Sequence, residues 1–326
     1  MRVLVTGSSG HLGEAMVRTL RERGADVIGL DIRPSESTSV VGSVADAGVA
    51  REVMVGIDVV LHTATLHKPQ VEFLPRQAFV DTNISGTLVL LDAAADAGVG
   101  AFVMSSSTTV FGDALIPAPG EPAAWIDESV VPVPKNIYGV TKAAAEDLCQ
   151  LAFRNQALPC VVLRVSRFFP EADDAPDIHG GRSDDNVKAD EYATRRVALE
   201  DAVDAHLLAA NRAPQLGFRC YVVSATTPFA PEDLTQLRTE AAAVFQRRAP
   251  LAATLWAERG WRFPTRVDRV YVNARARREL DWQPRFDLNA IAQMVATDGT
   301  VRTPLSREVG SKEYVESTYH RGTFRP

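Results

Sequence analysis

Along the first hundred residues, short unbroken apolar runs alternate with stretches whose apolar positions recur every three or four residues. "RVLVTG" predicts a strand that ends at a glycine. "HLGEAMVRTLRERG" predicts an amphipathic helix with a glycine stop, and "ADVIGLD" a second strand. A helical segment at "AGVAREVMVG" precedes the strand "IDVVLHTA", and "QAFVDTNISGTLVLLDAAADAG" leads helically into the strand "VGAFVMSSS". Apolar strands separated by helices predict an α/β chain built on a doubly wound parallel sheet, buried on both faces by its crossover helices.

The first strand-to-helix turn, "TGSSGHLG", carries the most specific chemical signal. Gly7 is placed for the tight turn, Gly10 for close approach of backbone to a pyrophosphate, and Gly13 for tight helix–strand packing. The helix start offers free N–H groups and the positive end of its dipole. Asp31 ends the second strand, where a carboxylate accepts hydrogen bonds from adenine-ribose hydroxyls. Together these predict a Rossmann-type dinucleotide site. NAD is expected over NADP, because Asp31 repels a 2'-phosphate, and Arg33, two residues on, is the group able to offset that repulsion.

Composition narrows the class further. The 326 residues are 46% hydrophobic and 23% charged, with net charge -6 and pI near 5.6, which gives no general basic field for nucleic acid. No apolar run reaches membrane-spanning length and none reads as a secretory signal. The three cysteines, Cys149, Cys160 and Cys220, are scattered and suit a reducing compartment, so the cytoplasm is the expected location. No His/Cys/carboxylate spacing suggests a metal.

Residues 136–147, "NIYGVTKAAAED", set Tyr138 and Lys142 four positions apart on a predicted helix. That spacing alone proves nothing, since positions i and i+4 adjoin on any helix. In the setting of a dinucleotide sheet it gains meaning. Ligands lie across the carboxyl ends of the strands, so a hydroxyl from the three serines of "SSSTTVFG" and the tyrosine–lysine pair on the helix after it can converge on one substrate oxygen, although three serines also suit a plain turn. Hydride loss from a secondary carbinol requires a base for the hydroxyl proton. A phenol is too weak a base unless charge lowers its pKa, as the Lys142 ammonium and an oxidised nicotinamide would. A strand-end serine would hydrogen-bond the same oxygen.

"TGSSGHLG", "VVLHTAT", "SSSTTVFG", "YGVTK", "LRVSRFFP", "VALEDAVDAHLLA" and "RRELDWQP" resemble, in order and spacing, the extended short-chain dehydrogenase/reductase family. Within it they resemble the NAD-dependent epimerase/dehydratase group, similar to UDP-glucose 4-epimerase-like proteins. The resemblance reaches about residue 300. It implies Ser107, Tyr138 and Lys142 as catalytic residues, with Tyr138 and Lys142 also meeting the cofactor. Beyond the glycines and Asp31, it implies cofactor contacts from Ser9, His11, Leu12, Ile32 and Arg33. Ser43, Val44, His62, Thr63, Ala64, Thr65, Asn83 and Ser105 complete that expected set.

The resemblance also implies a Rossmann domain over 1–166 and 193–225, with "RRVALED" and "CYVVSA" completing its sheet. A smaller, discontinuous substrate domain is expected over 167–192 and 226–302, then a polar tail over 303–326, an arm or a frayed end. Relatives of this kind pair as homodimers through the helix of "TNISGTLVLLDAAADAG" and the Tyr138 helix, so a homodimer is expected.

Several positions depart from the family pattern. Arg167 stands where many members carry Asn. It predicts an anionic sugar-like substrate, because a guanidinium fork suits carboxylate or phosphate. Thr108 and Thr109 replace the Asp-Glu pair of the sugar-nucleotide dehydratases, which argues against dehydration. Phe111, for the usual tyrosine, is expected to pack. His67, Ser107, Thr108, Arg167 and Asn186 are the expected substrate contacts, with Lys188 near Asn186. His67 and Lys68 also fit a plain surface loop. Arg195, Arg196, Arg262 and Arg266 are read as clamps for a diphosphate or carboxylate, or as surface charges.

The Pro-rich loop 113–137 is read either as cover for the substrate site or as a rigid surface loop. The acidic stretch 171–191 is read as a lid or a disordered loop. Three functions follow: a nucleotide-sugar epimerase, a net dehydrogenase or reductase acting on a free sugar acid or other small carbonyl, and a non-catalytic dinucleotide sensor. The intact Ser107, Tyr138 and Lys142 disfavour the third.

Overall fold

The computed structural model describes residues 1–171 and 180–312. Seven strands form one parallel sheet: β1 (Arg2–Thr6), β2 (Asp26–Asp31), β3 (Val40–Val41), β4 (Val59–His62), β5 (Ala101–Ser107), β7 (Cys160–Val165) and β8 (Phe218–Val223). Their order is β3-β2-β1-β4-β5-β7-β8. Chain direction of travel therefore reverses between β1 and β4, and such a switch point opens a crevice at the carboxyl ends of the strands. In register, Thr6 of β1 faces Leu30 on one side and His62 on the other.

Why these segments become sheet is visible in their burial. Val3, Leu4, Val5, Val60, Leu61, Phe102 and Val103 are almost wholly excluded from solvent. One face packs on the helices His11–Glu22 and Leu199–Leu216, the other on Gly86–Asp96 and Ile137–Gln156. Alternate strand residues point to opposite faces, so continuous apolar runs are required when both are covered. Each fully buried Leu, Met or Phe contributes roughly 1.5–3 kcal/mol.

A second core lies beyond the sheet, where Phe229, Leu237, Phe245, Trp256, Leu288 and Ile291 pack with Ala189 and Tyr192. A small parallel sheet of β6 (Ala124–Ile126) and β9 (Arg269–Tyr271) borders it. Thus the Pro-rich 113–137 loop supplies β6 from its middle. Its two ends are pinned together, with Asp113 N–H donating to the Val133 carbonyl at 2.8 Å.

Three local readings are corrected. Residues 172–179 of the expected lid lie outside the described residues, but Asp184–Glu191 form a helix. Its polarity is satisfied inwardly: the Ser183 hydroxyl accepts from Asn186 N–H at the helix start, and Asp184 and Asp185 sit favourably at the positive dipole end. Asp190 accepts from Arg182 at 2.9 Å and from the Trp256 indole at 2.8 Å. The tail also begins as structure. Pro304–Val309 form a helix, with Leu305 N–H and the Thr303 hydroxyl both donating to Glu200; residues 313–326 lie outside the described residues. Finally, "RRVALED" adds no full strand. Arg196 makes only an isolated bridge to Arg167, and the helix starts at Leu199.

Candidate active site

A cleft of about 1060 Å³ runs across the carboxyl ends of the central strands. At one end lies the glycine turn. Gly7 has φ of +71°, and a Cβ there would stand 2.7 Å from Ala64 N; a Cβ on Gly13 would collide with the Gly7 carbonyl oxygen. Only glycine permits that turn and that helix approach. Gly10 precedes the helix His11–Glu22 with no side-chain cap, so the first-turn N–H groups face the cleft without a side-chain acceptor from that residue. Asp31 is oriented by its own backbone surroundings: Oδ2 accepts from Ser9 N–H at 3.0 Å and Oδ1 from Arg33 N–H at 2.9 Å. Leu12, Ile32, Arg33, Ser43 and Val44 line this end, and Thr63, Ala64 and Thr65 its middle.

The catalytic candidates meet farther along. β5 delivers Ser105 and Ser107 to the cleft, and the Ser107 hydroxyl donates to Thr109 Oγ1 at 3.0 Å while accepting from Thr109 N–H. Asn136 caps the next helix by accepting from Gly139 N–H at 2.9 Å, which sets Tyr138 in its first turn. Burial pushes the Tyr138 phenol up to about 12, opposed by a hydrogen bond with Ser107. Lys142, one turn on, is 2% exposed, and burial lowers its ammonium to about 8, against the opposing pull of Cys149 and Glu146. The expected lowering of the phenol by Lys142 is therefore not present in the protein alone; desolvation wins.

Five expected contact residues do not line the cleft: Ser9, His62, Asn83, Lys142 and Asn186. Most of them build its walls. His62 Nδ1 bonds the Thr6 hydroxyl at 2.8 Å and Nε2 that of Thr87 at 3.0 Å, joining β1, β4 and a helix. Burial, then the charge of Lys142, lowers it to about 3. Asn83 sits in a π-turn, Val80–Ser85, and makes four bonds: its Oδ1 accepts from Thr65 and Leu66, and its Nδ2 donates to Leu66 and Thr141. It splices the β4 loop to the Tyr138 helix. Asn186 is 1% exposed, donating to Asp190 and accepting from Arg262 N–H at 3.0 Å. Its amide is consumed by the second core, as is Lys188, which donates to the Pro170 carbonyl and Asp184.

At the substrate end, His67 packs its ring 5.1 Å from that of Tyr138 and 4.5 Å from that of Phe169, and burial lowers it to about 3. Thr108 lines the cleft beside Ser107. Arg167 does so too, but its guanidinium lies 3.0 Å from Glu191 Oε1, and Arg195 and Arg196 reach the same carboxylate at 2.8 and 2.9 Å. Although burial pushes Glu191 up, these three cations hold it below the usual carboxylate range. Arg167 is thus ion-paired within the protein, which corrects the expectation that its charge waits for a substrate. Arg262 and Arg266 stand outside the lining.

Beneath the Ser107 turn, Phe111 is fully buried under the Arg164 guanidinium, 5.0 Å from its ring centre. Arg164 pairs with Glu146 at 2.8 Å, and Glu146 accepts from the Ser106 hydroxyl at 2.5 Å. Sequence reading missed Phe169, Arg269, Tyr271 and Lys312 as lining residues. Lys312 N–H donates to Glu171 at 2.7 Å, and Glu171 bonds His11 at 2.9 Å, so the end of the described chain closes over the first helix. A proline at N1 of "PLSREV" was the available signal for that ordered end.

A sequence model of the NAD dependent epimerase/dehydratase family matches residues 3–182. The UDP-glucose 4-epimerase of Erwinia amylovora is 29% identical over 183 residues, 50% of this chain and 52% of that protein. A 4-hydroxy-2-methyl-3-oxo-4-farnesyl-3,4-dihydroquinoline-1-oxide ketoreductase of Stigmatella aurantiaca is 31% identical over 232 residues, 66% of each chain. The matches thus span about half to two thirds of these two relatives' length. Among solved structures, a short-chain dehydrogenase/reductase superfamily protein from Agrobacterium tumefaciens with bound NAD superposes with TM-score 0.65 and 25% identity, covering 94% of this chain and 99% of that one.

Proposed function

Because this chain belongs to the NAD-dependent epimerase/dehydratase family, we propose that it uses NAD to oxidise and re-reduce a secondary carbinol of a nucleotide sugar, an epimerase-type reaction. The observation that carries the reading is the convergence of Ser107 and the Tyr138 phenol in one cleft with the glycine turn and Asp31. The residues fit the cofactor: Gly7 and Gly13 permit the tight turn and helix approach that any Cβ would block, and Asp31 is held ready for a ribose diol. NAD, when bound, supplies the acceptor for the hydride.

The chain's own groups do the rest. Tyr138 takes the substrate hydroxyl proton and Ser107 donates to the same oxygen as charge develops. With its pKa near 12, the resting phenol is neutral, so it becomes a base only when positive charge is brought beside it. The Thr109 N–H fixes the Ser107 oxygen, and the Ser107 O–H, given to Thr109 Oγ1 in the resting site, must turn to the substrate oxygen. Thr108 and Thr109 ionise too poorly to supply the acid and base of a 4,6-dehydration, so a 4-keto-6-deoxy product is not expected.

Division into a cofactor domain and a substrate domain is part of this proposal, as is a homodimer. Leu88, Val140 and Leu151, 42%, 46% and 49% exposed, lie on the two helices expected to pair. A cytoplasmic setting fits three thiols that are all free. No helix among the described residues is long and apolar enough to cross a membrane.

The competing reading is a net dehydrogenase or reductase, favoured by likeness to the ketoreductase. Gel filtration followed by turnover separates the two. Retained NAD and interconverted UDP-sugars without net reduced cofactor support the epimerase. Freely exchanging NAD with stoichiometric reduction, on a sugar acid or ketone, overturns it.

A further inference from the structure

The cations of the cleft are not equivalent. Arg167 and Arg195 both bind Glu191. Arg269, at the start of β9, is different: its guanidinium donates one 2.8 Å bond to the Ala114 carbonyl. Its neighbour Asp268 is occupied by Arg238 and Arg266. Among the described residues no carboxylate is in ion-pair contact with Arg269, although it is partly buried and lines the cleft. A partly buried guanidinium with only a carbonyl partner keeps most of its donor fork for a ligand.

A second cation comes from the segment packed against the same turn. Gly112 has φ of +48°, and a Cβ on it would lie 2.8 Å from Lys135 N, so the Gly112–Ala114 turn that Arg269 bonds also packs on the Lys135 backbone. Lys135 is exposed and lines the cleft. This turn directly follows Thr108–Phe111, the 3-10 turn that Ser107 caps, so both cations border the reacting end. Three carboxylates line the cleft, Asp31 at the adenosine end, Glu171 on His11 and Glu72 at the end of the turn Lys68–Glu72, and among the described residues none is in ion-pair contact with Arg269 or Lys135. Asp113, inside the turn, is exposed and outside the lining.

We propose that Arg269 and Lys135 form an oxyanion subsite at the substrate end, and that the substrate bears a carboxylate or phosphate which this pair recognises. This gives Arg269 the role expected of Arg167. The proposal rests on the enzymatic reading for what the anion belongs to, but not for the existence of the subsite.

The test is calorimetric titration of the NAD-loaded protein with inorganic phosphate, glucuronate, UDP-glucose and glucose, beside turnover assays of the three sugars. Phosphate and at least one anionic sugar should bind while glucose does not. Glucuronate against UDP-glucose then tells a carboxylate from a diphosphate. Arg269→Gln should weaken the anions roughly tenfold, a loss of about 1.4 kcal/mol, with NAD affinity unchanged; Arg269→Lys should restore part of the loss.

If Arg269→Gln also lowers the melting temperature through its lost bond to Ala114, the exposed Lys135→Met carries the test and should weaken the same anions about threefold. Glucose binding as well as the anions, or anion affinity within twofold of wild type in Lys135→Met and in a folded Arg269→Gln, overturns the subsite. Anion binding that depends on Arg269 without turnover of any sugar leaves the subsite standing and removes the epimerase reading.

Discussion

At the adenosine end of the cleft the essential walls are backbone: Gly7, Gly10 and Gly13 turn and approach, and even Asp31 is oriented by two main-chain N–H groups. At the substrate end the walls are side chains drawn from distant segments, with Tyr271 and Arg269 from β9, Arg167 after β7 and His67 after β4. Backbone walls tolerate almost no substitution because the constraint is steric and local. Side-chain walls can be exchanged one at a time, so a single scaffold can serve many substrates while the cofactor end stays recognisable.

The sharpest break in that comparison is Gly13→Ala. Its Cβ would meet the carbonyl oxygen and carbonyl carbon of Gly7 and the Cα of Ser8, none of which can move without reshaping the turn. Overpacking commonly costs about 1–3 kcal/mol, and backbone cannot rotate out of the way as a side chain can. We expect loss of measurable NAD binding and a clearly lowered melting temperature. Gly10→Ala, where the only close neighbour is the Gly7 oxygen at 3.3 Å, should fold nearly normally and still bind NAD poorly. Equal melting losses in both variants would show that packing, not cofactor approach, governs Gly10.

At the seam between the ends, Tyr138→Phe should reduce kcat roughly 10²–10⁴-fold, the usual scale of general acid–base catalysis, with NAD affinity nearly intact. Phe keeps the contact with the His67 ring, so the loss isolates the hydroxyl. Lys142→Ala should weaken both turnover and NAD binding. Retention of more than about a tenth of wild-type kcat in Tyr138→Phe would send the search for the base elsewhere.

Legibility in the sequence follows the same division. The sheet was readable because fully buried parallel strands must be apolar throughout, as Val3–Val5 and Val60–Leu61 are, and the glycine turn because its spacing is dictated by sterics. Ser107, Tyr138 and Lys142 were singled out through family resemblance, and the fold brings Ser107 and Tyr138 into one cleft with Lys142 buried one helical turn on. What could not be read was how polar residues spend their hydrogen bonds. Arg167 looked available, and only the fold brings Glu191, 24 positions away, to it. Asn83 looked like a cofactor contact, but the π-turn aims its amide at Thr65, Leu66 and Thr141. The helix Asp184–Glu191 was missed because its acids are spent on buried ion pairs with the flanking Arg182 and Arg196 and with Arg167, 24 positions away, which apolar periodicity does not record.

Histidines buried around the cleft offer a pH probe of its walls. Burial lowers His62 and His67 to about 3 and His206 to about 4. Below about 6.5 the unfolded chain takes up protons that the folded chain refuses, so stability falls as pH drops toward those values. Asp190, raised by burial to about 7, works the other way, since the folded state holds its proton between the ordinary carboxylate range and that value. Asp201 and Glu128, also raised by burial, act as Asp190 does, whereas the lowered carboxyls of Glu171, Glu191, Asp233 and Glu279 join the three histidines in refusing protons in the folded state, so seven groups against three predict a net fall in melting temperature from about pH 6.5 downward. His62→Asn should be less stable at neutral pH, having lost its link between Thr6 and Thr87, yet show a shallower acid slope. An unchanged slope would mean that His62 is not the proton acceptor on acid unfolding.

The smallest effect concerns which dinucleotide the adenosine end prefers. Asp31 is fixed by Ser9 and Arg33 N–H groups, so its carboxylate cannot swing away from a 2'-phosphate without losing both bonds. Arg33 lines the same end and is placed to soften the repulsion. Backbone orientation should outweigh a mobile guanidinium, because the ribose diol gains bonds to the carboxylate that the phosphorylated form cannot make. We therefore expect NAD to bind at least about tenfold tighter than NADP, near 1.4 kcal/mol, and Asp31→Asn to shrink that ratio by weakening NAD while sparing NADP. Arg33→Ala should widen it. If NADP binds as tightly as NAD by calorimetry, Arg33 dominates the end, and even this backbone-built half of the cleft owes its selectivity to a side chain.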